Sequence, residues 1–245
     1  MKINLTNIET SCFDSKINLT LPEHLSPELA EFVGILTGDG YMNKYGKYFS
    51  LLEIAGDSTL DKDYLSHYVT QMIKNLFNIE PKIIFRKKQR TMYLRLMSKG
   101  INNYLLSVGF KEGKKGQIEI PSWVLENKDF MRSFIRGLSD TDGSLALLNQ
   151  KQKKYTFYPR VQIASISEDL ITTTSNWLKE QGISLSMMKE CKTLVYKGNL
   201  KNHEGYRIHI SGRKNLEKWM QLIGFKNNRH LEKYKKYKES GSTGI

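Results

Sequence analysis

The sequence contains few cysteines, no long apolar run and no secretory signal, and each absence excludes a class of protein. Its two cysteines, Cys12 and Cys191, form no CxxC pair, so neither a disulfide scaffold nor a cysteine-rich zinc module is expected. No apolar stretch approaches the roughly 20 residues of a membrane-spanning helix. Residues 1–16 mix polar and acidic side chains with apolar ones, which is unlike a signal peptide. These absences predict a soluble intracellular protein from a prokaryote or an organelle.

Acidic residues are also in short supply relative to basic ones. Lys and Arg total 38 against 25 Asp and Glu, which gives a formal net charge of +13. Such an excess favours a polyanionic partner, because each neutralised phosphate releases condensed counterions. A merely soluble basic protein would have the same composition, so the motifs must decide between the two interpretations.

What the sequence does contain is an internal repeat. Residues 32–40 read FVGILTGDG, and residues 135–143 read IRGLSDTDG, at an offset of 103. Residues 108–110 (VGF) match residues 223–225 (IGF) at an offset of 115. An offset that grows while the order of segments is kept indicates loop insertions in a tandem duplication.

The apolar periodicity predicts an α+β fold of two repeats, each in the order helix, two strands, helix, two strands, helix. The first helix begins at Ser26, a capping residue followed by proline, and ends at Gly40. We predict further first-copy helices at 64–77 and 101–108, and strands at 48–55, 82–86 and 92–98. In the second copy we predict helices from 127 or 129 to 143 and at 169–181, strands at 155–165, 185–192 and 206–211, and a loop at 196–205. The predicted divisions are an N-terminal extension (1–25), a first repeat (26–110), a linker (111–126), a second repeat (127–232) and a basic C-terminal tail (233–245).

The penultimate residue of each repeated segment is an aspartate, Asp39 or Asp142, at the end of a predicted helix. If the two helices pack about a pseudo-twofold axis, the two carboxylates meet, and they repel unless a cation lies between them. Carboxylate and carbonyl oxygens suit magnesium, which polarises a phosphate and activates water. A single Gly-Asp-Gly is usually a turn, so the prediction depends on two copies in register. The small residues that would allow close packing are Gly34 and Gly38 in one helix and Gly137 and Thr141 in the other.

Both segments resemble the motif of the LAGLIDADG homing endonucleases, in the two-motif, single-chain form of that family. The stretch 120–123 (IPSW) ahead of the second motif resembles the archaeal, intein-associated branch, and the resemblance covers roughly residues 27–232. It implies two αββαββα repeats, each with a four-stranded antiparallel sheet that forms a saddle over DNA. It also implies a monomer that cuts both strands of a long asymmetric double-stranded target. The implied metal ligands, for Mg²⁺ or Mn²⁺, are the side chains of Asp39 and Asp142 and the carbonyls of Gly38 and Thr141.

The motifs depart from the family pattern at two positions. The sixth position, usually acidic, is Thr37 in the first copy and Asp140 in the second, and the apolar second position is Arg136, which must turn outward or find a partner. The resemblance further implies a basic residue at the end of the fourth strand that helps to activate water. Lys99 matches this position; Arg213 and Lys214 are the second-copy candidates, and Lys214 is our predicted catalytic residue. Exposed, solvated cations are the alternative for all three.

Alternation along the predicted strands sends one side chain to the core and the next to the opposite face, and a twisted antiparallel ribbon fits the DNA major groove. An ordinary solvent-exposed sheet face is the alternative. Two sheets would cover about 20 base pairs. The candidate DNA contacts are Arg86, Lys87, Lys88, Arg90, Tyr93 and Arg95 in the first copy and Arg160, Gln162, Arg207 and His209 in the second.

Two other functions remain open on the same fold. One is an RNA maturase that assists intron splicing and so binds intron RNA, and the other is a cleavage-inactive DNA-binding protein. Neither function needs the carboxylates of Asp39 and Asp142, so their presence favours cleavage.

Overall fold

In the computed structural model of this protein, which describes residues 2–45, 49–86, 89–111, 118–149, 157–196 and 199–241, both copies show the predicted order of helices and strands. After a one-turn helix, α1 (Cys12–Lys16), the first copy comprises α2 (Pro27–Asp39), β1 (Gly40–Tyr45), β2 (Phe49–Asp57), a π-helical segment (Tyr64–Val69) that continues as α3 (Thr70–Phe77), β3 (Lys82–Arg86), β4 (Thr91–Met97) and α4 (Lys99–Ser107). The second comprises α5 (Ser122–Leu125), α6 (Lys128–Thr141), β5 (Gly143–Asn149), β6 (Phe157–Ser165), α7 (Glu168–Glu180), β7 (Ser186–Tyr196), β8 (Asn199–Ser211), α8 (Arg213–Leu222) and α9 (Asn228–Gly241).

Each copy forms one four-stranded antiparallel sheet, in the order β1-β2-β4-β3 in the first and β5-β6-β8-β7 in the second. The registers of the two sheets are equivalent. In the first sheet Ile54 pairs with Gly40 and Leu94, and in the second Ile163 pairs with Gly143 and Ile208. The α+β class and the antiparallel four-stranded sheet of each copy are thereby confirmed.

The strand that directly follows each motif belongs to the predicted order, but its residues were not located in the sequence. Gly40 caps α2 as predicted, but with φ −79° and ψ 148° it is extended, so the chain passes from helix to strand without a turn. Gly143 likewise begins β5. The predicted loop at 196–205 was wrong, because β7 and β8 continue through most of it as a paired ribbon. Nor did the sequence analysis predict α9, which covers most of residues 233–245.

The chain divides into two compact units. Unit 1 comprises Met1–Gly113, Ile120–Thr141 and Lys226–Asn228, and unit 2 comprises Lys114–Glu119, Asp142–Phe225 and Arg229–Ile245. Both motif helices, α2 and α6, therefore belong to unit 1, and each unit contains one of the sheets. None of the helices in the described ranges is long and apolar enough to cross a membrane.

Alternating apolar residues of each sheet form the core of its unit. In unit 1, Met92, Leu94 and Leu96 of β4 are buried, and the residues between them are half-buried. In unit 2, Val161 and Ile163 of β6 are fully buried in the same way. One face of each sheet therefore packs against helices, which leaves the opposite face for other contacts.

Helices α2 and α6 pack backbone against backbone at two glycines. A Cβ on Gly34 would overlap the carbonyl of Phe134, and a Cβ on Gly137 would overlap the carbonyl of Glu31. The predicted close packing of small residues is thus seen at Gly34 and Gly137. Thr141 instead directs its hydroxyl to its own helix.

A buried ion pair accompanies the helix contact. Glu31 is 2% exposed, and Arg136 Nε donates to its Oε2 at 3.0 Å. The Tyr68 hydroxyl donates to the other carboxylate oxygen at 2.8 Å. The arginine in an apolar motif position has therefore found a partner on the facing helix, as its position required.

Replacing Gly34 with alanine should lower the free energy of unfolding by about 2–3 kcal/mol, the upper part of the range for an overpacked site. The new Cβ would overlap a backbone carbonyl, which cannot rotate away. Chemical denaturation followed by circular dichroism measures the change. In the control Gly205→Ala, the Cβ would meet Ser165 O at 3.9 Å, and the change should stay within about 0.5 kcal/mol. Equal losses in both variants would contradict the helix contact as the cause.

Replacing Arg136 with leucine should cost about 3–5 kcal/mol, because the Glu31 carboxylate stays buried without its cation. The double variant Glu31→Leu, Arg136→Leu should recover most of that loss, since no charge is then left buried. The same denaturation experiment measures both. A double variant that is less stable than Arg136→Leu alone would show that the packing of these side chains, and not their charge, determines the contribution of the pair to stability.

Candidate active site and sheet faces

The two motif aspartates follow the last turns of equivalent helices, and each belongs to its own unit. Asp39 is the last residue of α2 and is half-buried in unit 1. Asp142 follows α6, is half-buried in unit 2, and its carbonyl accepts a hydrogen bond from Ala164 N at 3.4 Å. The last carbonyls of a helix have no intrahelical donor, and the helix dipole adds partial negative charge there. A carboxylate at this position favours a cation.

The candidate carbonyl ligands, Gly38 and Thr141, are buried residues of unit 1. Thr141 Oγ1 donates to the carbonyls of Gly137 and Leu138 at 3.0 and 3.1 Å, so its predicted role rests on its backbone carbonyl. Within the described ranges, no three His, Cys, Asp or Glu side chains cluster as a metal site. Each motif aspartate, taken by itself, offers carboxylate oxygens next to a helix-end carbonyl, and such oxygen donors suit Mg²⁺.

Asp140, the acidic residue at the sixth motif position, is fully buried and joins α6 to the segment before α9. Its two carboxylate oxygens accept hydrogen bonds from Lys226 N at 2.9 Å and Asn227 N at 3.2 Å. Burial raises the pKa of Asp140 to about 7, although both hydrogen bonds act in the opposite direction. The Asn227 side chain extends this network to Asp61 at 2.8 Å. Asp140 is therefore part of the packing of unit 1.

Lys99 occupies a confined position at the start of α4. The side chain of the preceding residue, Ser98, caps this helix. Lys99 Nζ lies 2.6 Å from a carboxylate oxygen of Glu9, and the lysine side chain is 22% exposed. The alternative of an exposed, solvated cation does not describe this side chain.

The strand registers identify the second-copy counterpart of Lys99. Leu94 pairs with Ile54, which pairs on its other side with Gly40. Ile208 pairs with Ile163, which pairs on its other side with Gly143. Leu94 and Ile208 therefore occupy equivalent positions. Five residues further along lie Lys99 and Arg213, each the first residue of the following helix. The register therefore favours Arg213 over Lys214.

Lys214, our predicted second catalytic residue, has Gly100 as its counterpart by the same register. Its side chain is exposed. Arg213 instead lies over an aromatic ring of α9, with Cζ 5.7 Å from the centre of the Tyr237 ring. The sequence alignment was too loose to separate two adjacent basic residues, whereas strand pairing separates them.

The outer face of the unit 1 sheet carries arginines with intramolecular partners. Arg95 is paired with Glu53 on the neighbouring strand at 2.6 Å. This pair keeps the guanidinium close to the sheet while leaving it 39% exposed. The other contacts are Arg86 Cζ over the Tyr93 ring at 4.9 Å and Arg90 with Asp57 at 3.3 Å. Lys87 and Lys88 lie outside the described residues.

On the unit 2 sheet, Arg207 is held from two sides. It donates to Gln162 Oε1 at 3.0 Å and to Glu190 Oε2 at 3.1 Å. Arg160 Nε donates to Ser211 Oγ at 3.1 Å across the same pair of strands. The sequence analysis missed Glu190, because the pattern of one strand does not reveal which residue of its neighbour it faces.

His209 lies on the same face, paired in register with Gln162. Burial lowers its pKa, and the charges of Arg160 and Arg207 lower it further, so the imidazole is neutral near pH 7. Among the described residues, the buried Nε2 of His209 has no hydrogen-bond partner. A buried ring nitrogen without a partner on a polar face suits a ligand that supplies one.

Comparisons with known proteins agree with this architecture. Residues 129–224 match the family model described as a LAGLIDADG-like domain. The homing endonuclease I-DmoI has the same fold, with a TM-score of 0.53 and 22% identity over 80% of this chain and 95% of that one. The LAGLIDADG homing endonuclease I-LtrWI, bound to target DNA, has a TM-score of 0.53 and 12% identity over 86% of this chain and 88% of its own. Structures of I-DmoI also include complexes with DNA and manganese or calcium.

The curated relatives have more varied names. The replication factor C small subunit of Methanocaldococcus jannaschii is 26% identical over 84% of this chain, which spans 10% of that protein. The probable cell division protein WhiA of Lactobacillus acidophilus is 22% identical over 84% of this chain, which spans 60% of it. The chain thus spans less than two thirds of either relative. The LAGLIDADG resemblance seen in the sequence is confirmed by the matched domain and by the shared fold.

Replacing Asp140 with asparagine should lower the free energy of unfolding by about 1–3 kcal/mol, because an NH₂ group would face a backbone N–H that now donates to an oxygen. Thermal unfolding followed by circular dichroism measures the loss. Asp169→Asn, an exposed acid at the start of α7, is the matched control and should change stability by less than about 0.5 kcal/mol. A stable Asp140→Asn protein would contradict the structural role.

Proposed function

We propose that this chain, which carries a LAGLIDADG-like domain on a homing endonuclease fold, hydrolyses one phosphodiester in each strand of a long asymmetric DNA site with a divalent metal. The repeated helix end carries this proposal. Gly34 and Gly137 are equivalent residues at which α2 and α6 meet, and an aspartate stands five residues beyond each. A duplicated carboxylate suits a target with two strands, since each copy can serve one scissile phosphate.

The residues that would hold the metal are Asp39 and Asp142, with the carbonyls of Gly38 and Thr141. The carboxylates, the carbonyls at the helix ends and the helix dipoles all contribute negative charge, so a hard cation is the complementary ligand. When bound, Mg²⁺ or Mn²⁺ polarises the phosphate and activates water. The chain itself orients the ligands, because the contact between α2 and α6 at Gly34 and Gly137 fixes the ends of these helices.

The basic residues that follow the fourth strand of each sheet complete the proposed site. Lys99 and Arg213 are equivalent and cationic, and a cation beside the scissile phosphate can orient the attacking water and stabilise developing charge. Lys214 remains an alternative to Arg213. The chemical difference between Lys99 and Arg213 adds to the asymmetry between the two copies.

The outer sheet faces support DNA binding with unequal half-sites. Equivalent positions carry different groups, with Arg95 corresponding to His209 and Tyr93 to Arg207. Arginine and glutamine side chains can make bidentate contacts with base edges, and Gln162 and Glu190 hold the guanidinium of Arg207 in one orientation. Lysines and arginines near the strand ends supply phosphate contacts. Two faces with different side chains favour a target without palindromic symmetry.

A cleavage-inactive DNA-binding protein is the second candidate. The similarity to WhiA, named as a cell division protein, favours it, because that relative matches most of this chain under a name other than nuclease. Both candidates predict specific duplex binding, and only the endonuclease requires the aspartates.

The test incubates the protein with a randomised duplex library and Mg²⁺ and sequences the newly formed ends. We expect double-strand cuts at one long site, which chelation of the metal abolishes and added Mg²⁺ restores. Asp39→Asn and Asp142→Asn should each reduce the cleavage rate on the order of a thousandfold, because a metal ligand is lost, while duplex affinity changes little. Asp63→Asn, an exposed acid before the π-helical segment, is the matched control and should cut normally.

Three outcomes would contradict the proposal: the first two would exclude endonuclease activity, and the third would exclude Asp39 and Asp142 as its site. Specific duplex binding without any cut supports the cleavage-inactive protein. Tight binding to intron RNA without DNA cleavage supports a maturase. Unchanged cutting by both Asp→Asn variants would show that the nuclease activity lies elsewhere.

A further inference from the structure

The N-terminal arm, defined here as residues 9–19, lies against the start of α4 and contacts the residues on both sides of Lys99. Ser98 Oγ donates to Asp14 Oδ1 at 2.6 Å, and Gly100 N donates to Asp14 Oδ2 at 3.1 Å. Asp14 is 1% exposed. One buried carboxylate therefore fixes the backbone immediately before and after the candidate catalytic lysine.

The Asp14 carboxylate is suited to this role in its ionised form. Burial alone would raise the pKa of Asp14, but the hydrogen bonds from Ser98, Ser11 and Gly100 outweigh burial and hold the pKa below its ordinary value. The Ser11 side chain also caps α1, in which Asp14 lies. The arm thus has hydrogen bonds of its own in addition to its contacts with α4.

The arm also contacts the Lys99 side chain itself. The Glu9 carboxylate lies 2.6 Å from Lys99 Nζ, and the Glu9 carbonyl accepts a hydrogen bond from Asn103 Nδ2 at 2.8 Å. The backbone of Glu9 is therefore held by α4 one turn beyond Lys99. The Glu9 side chain itself is 76% exposed, so it is the fixed backbone that keeps its carboxylate within reach of the lysine ammonium.

Close packing at Gly100 shows that α4 is adapted to the arm. A Cβ on Gly100 would lie 2.7 Å from Leu19 Cδ2 and 3.1 Å from Thr10 Cγ2. Its counterpart in unit 2, Lys214, is exposed, so the second copy has a long side chain where the first copy has the arm. The contact with the arm is therefore a feature of the first copy, whereas the second copy exposes Lys214 at the equivalent position.

We propose that the N-terminal arm is a positioning element for Lys99, in which Asp14 fixes the backbone that carries the lysine and Glu9 orients its ammonium group. The catalytic part of this inference rests on the proposed function. Since the arm contacts Lys99 and the equivalent Arg213 lies over Tyr237, the arm should influence the cutting of one DNA strand and leave the other unaffected. A segment that merely stabilised the fold would affect both strands alike.

The closing experiment measures single-turnover cleavage with each strand labelled separately. Glu9→Gln should slow one strand on the order of tenfold, the low end of the loss when an orienting partner is removed, and leave the other within about twofold. Glu9→Asp, which keeps the charge, should restore part of the rate. In a Lys99→Met background, Glu9→Gln should have no further effect. Glu23→Gln, an exposed acid outside the arm, is the matched control and should cut both strands normally.

A second measurement needs no cleavage. Brief treatment with acetic anhydride, followed by mass spectrometry, gives the modification rate of Lys99 relative to the exposed Lys62. Glu9→Gln should raise this ratio several-fold, because the ammonium loses the carboxylate that confines it. An unchanged ratio overturns the contact between arm and lysine, and equal slowing of both strands overturns the positioning role. If the native protein cuts no duplex, the proposed function fails, and the modification ratio alone decides whether the arm holds Lys99.

Discussion

The backbone contact between α2 and α6 is the constraint on which the rest of unit 1 depends. At Gly34 and Gly137 the facing backbone leaves no room for a methyl group, so the two helices can approach only where both sequences carry glycine. A crossing fixed by backbone atoms is insensitive to side-chain rotamers, which keeps the helix ends in defined positions. The motif therefore serves to pack the two helices, and its proposed chemical role depends on the aspartate five residues beyond each glycine.

Charge is distributed around this contact in two different ways. Glu31 is buried and pairs with the half-buried Arg136, so their charges compensate each other within the helix pair. The aspartates after each helix are half-buried and stand where helix carbonyls already contribute negative charge. An ion pair compensates its own charges, whereas a carboxylate beside the negative end of a helix favours a nearby cation. The same short segment thus contains a structural ion pair and a candidate metal site.

Sequence analysis predicted the features that depend on local patterns. The cap at Ser26, the strands at 82–86 and 92–98 and the two motif helices follow from spacing and residue type. The sequence analysis failed where the structure of a segment depends on its pairing with a distant segment. Strand β1 was missed because Gly40 is a common helix stop, and only pairing with β2 shows that the chain continues as a strand. Arg213 and Lys214 could not be distinguished for the same reason, since their difference is a register and not a residue preference.

Asp140 illustrates a further limit of reading a motif by chemistry alone. An acidic residue two positions before a candidate metal ligand invites a role in the site, yet its carboxylate accepts two backbone hydrogen bonds and is fully buried. The first copy has Thr37 at this position, whose hydroxyl bonds back to Val33 O. Thr37 and Asp140 each form hydrogen bonds with nearby backbone groups, although with different ones. The sixth motif position therefore differs between the copies, whereas both copies carry an aspartate two residues further on.

The two copies differ in the groups that contact their equivalent cations, Lys99 and Arg213. Lys99 is backed by a carboxylate from the N-terminal arm, and Arg213 by the tyrosine ring of α9. An ammonium group is a compact charge on a flexible stem and needs a partner to fix its direction, whereas a planar guanidinium is oriented by stacking on a ring. Each added segment therefore suits the cation that it accompanies. The duplicated fold therefore has two unequal halves, which is the arrangement that the proposed asymmetric target would require.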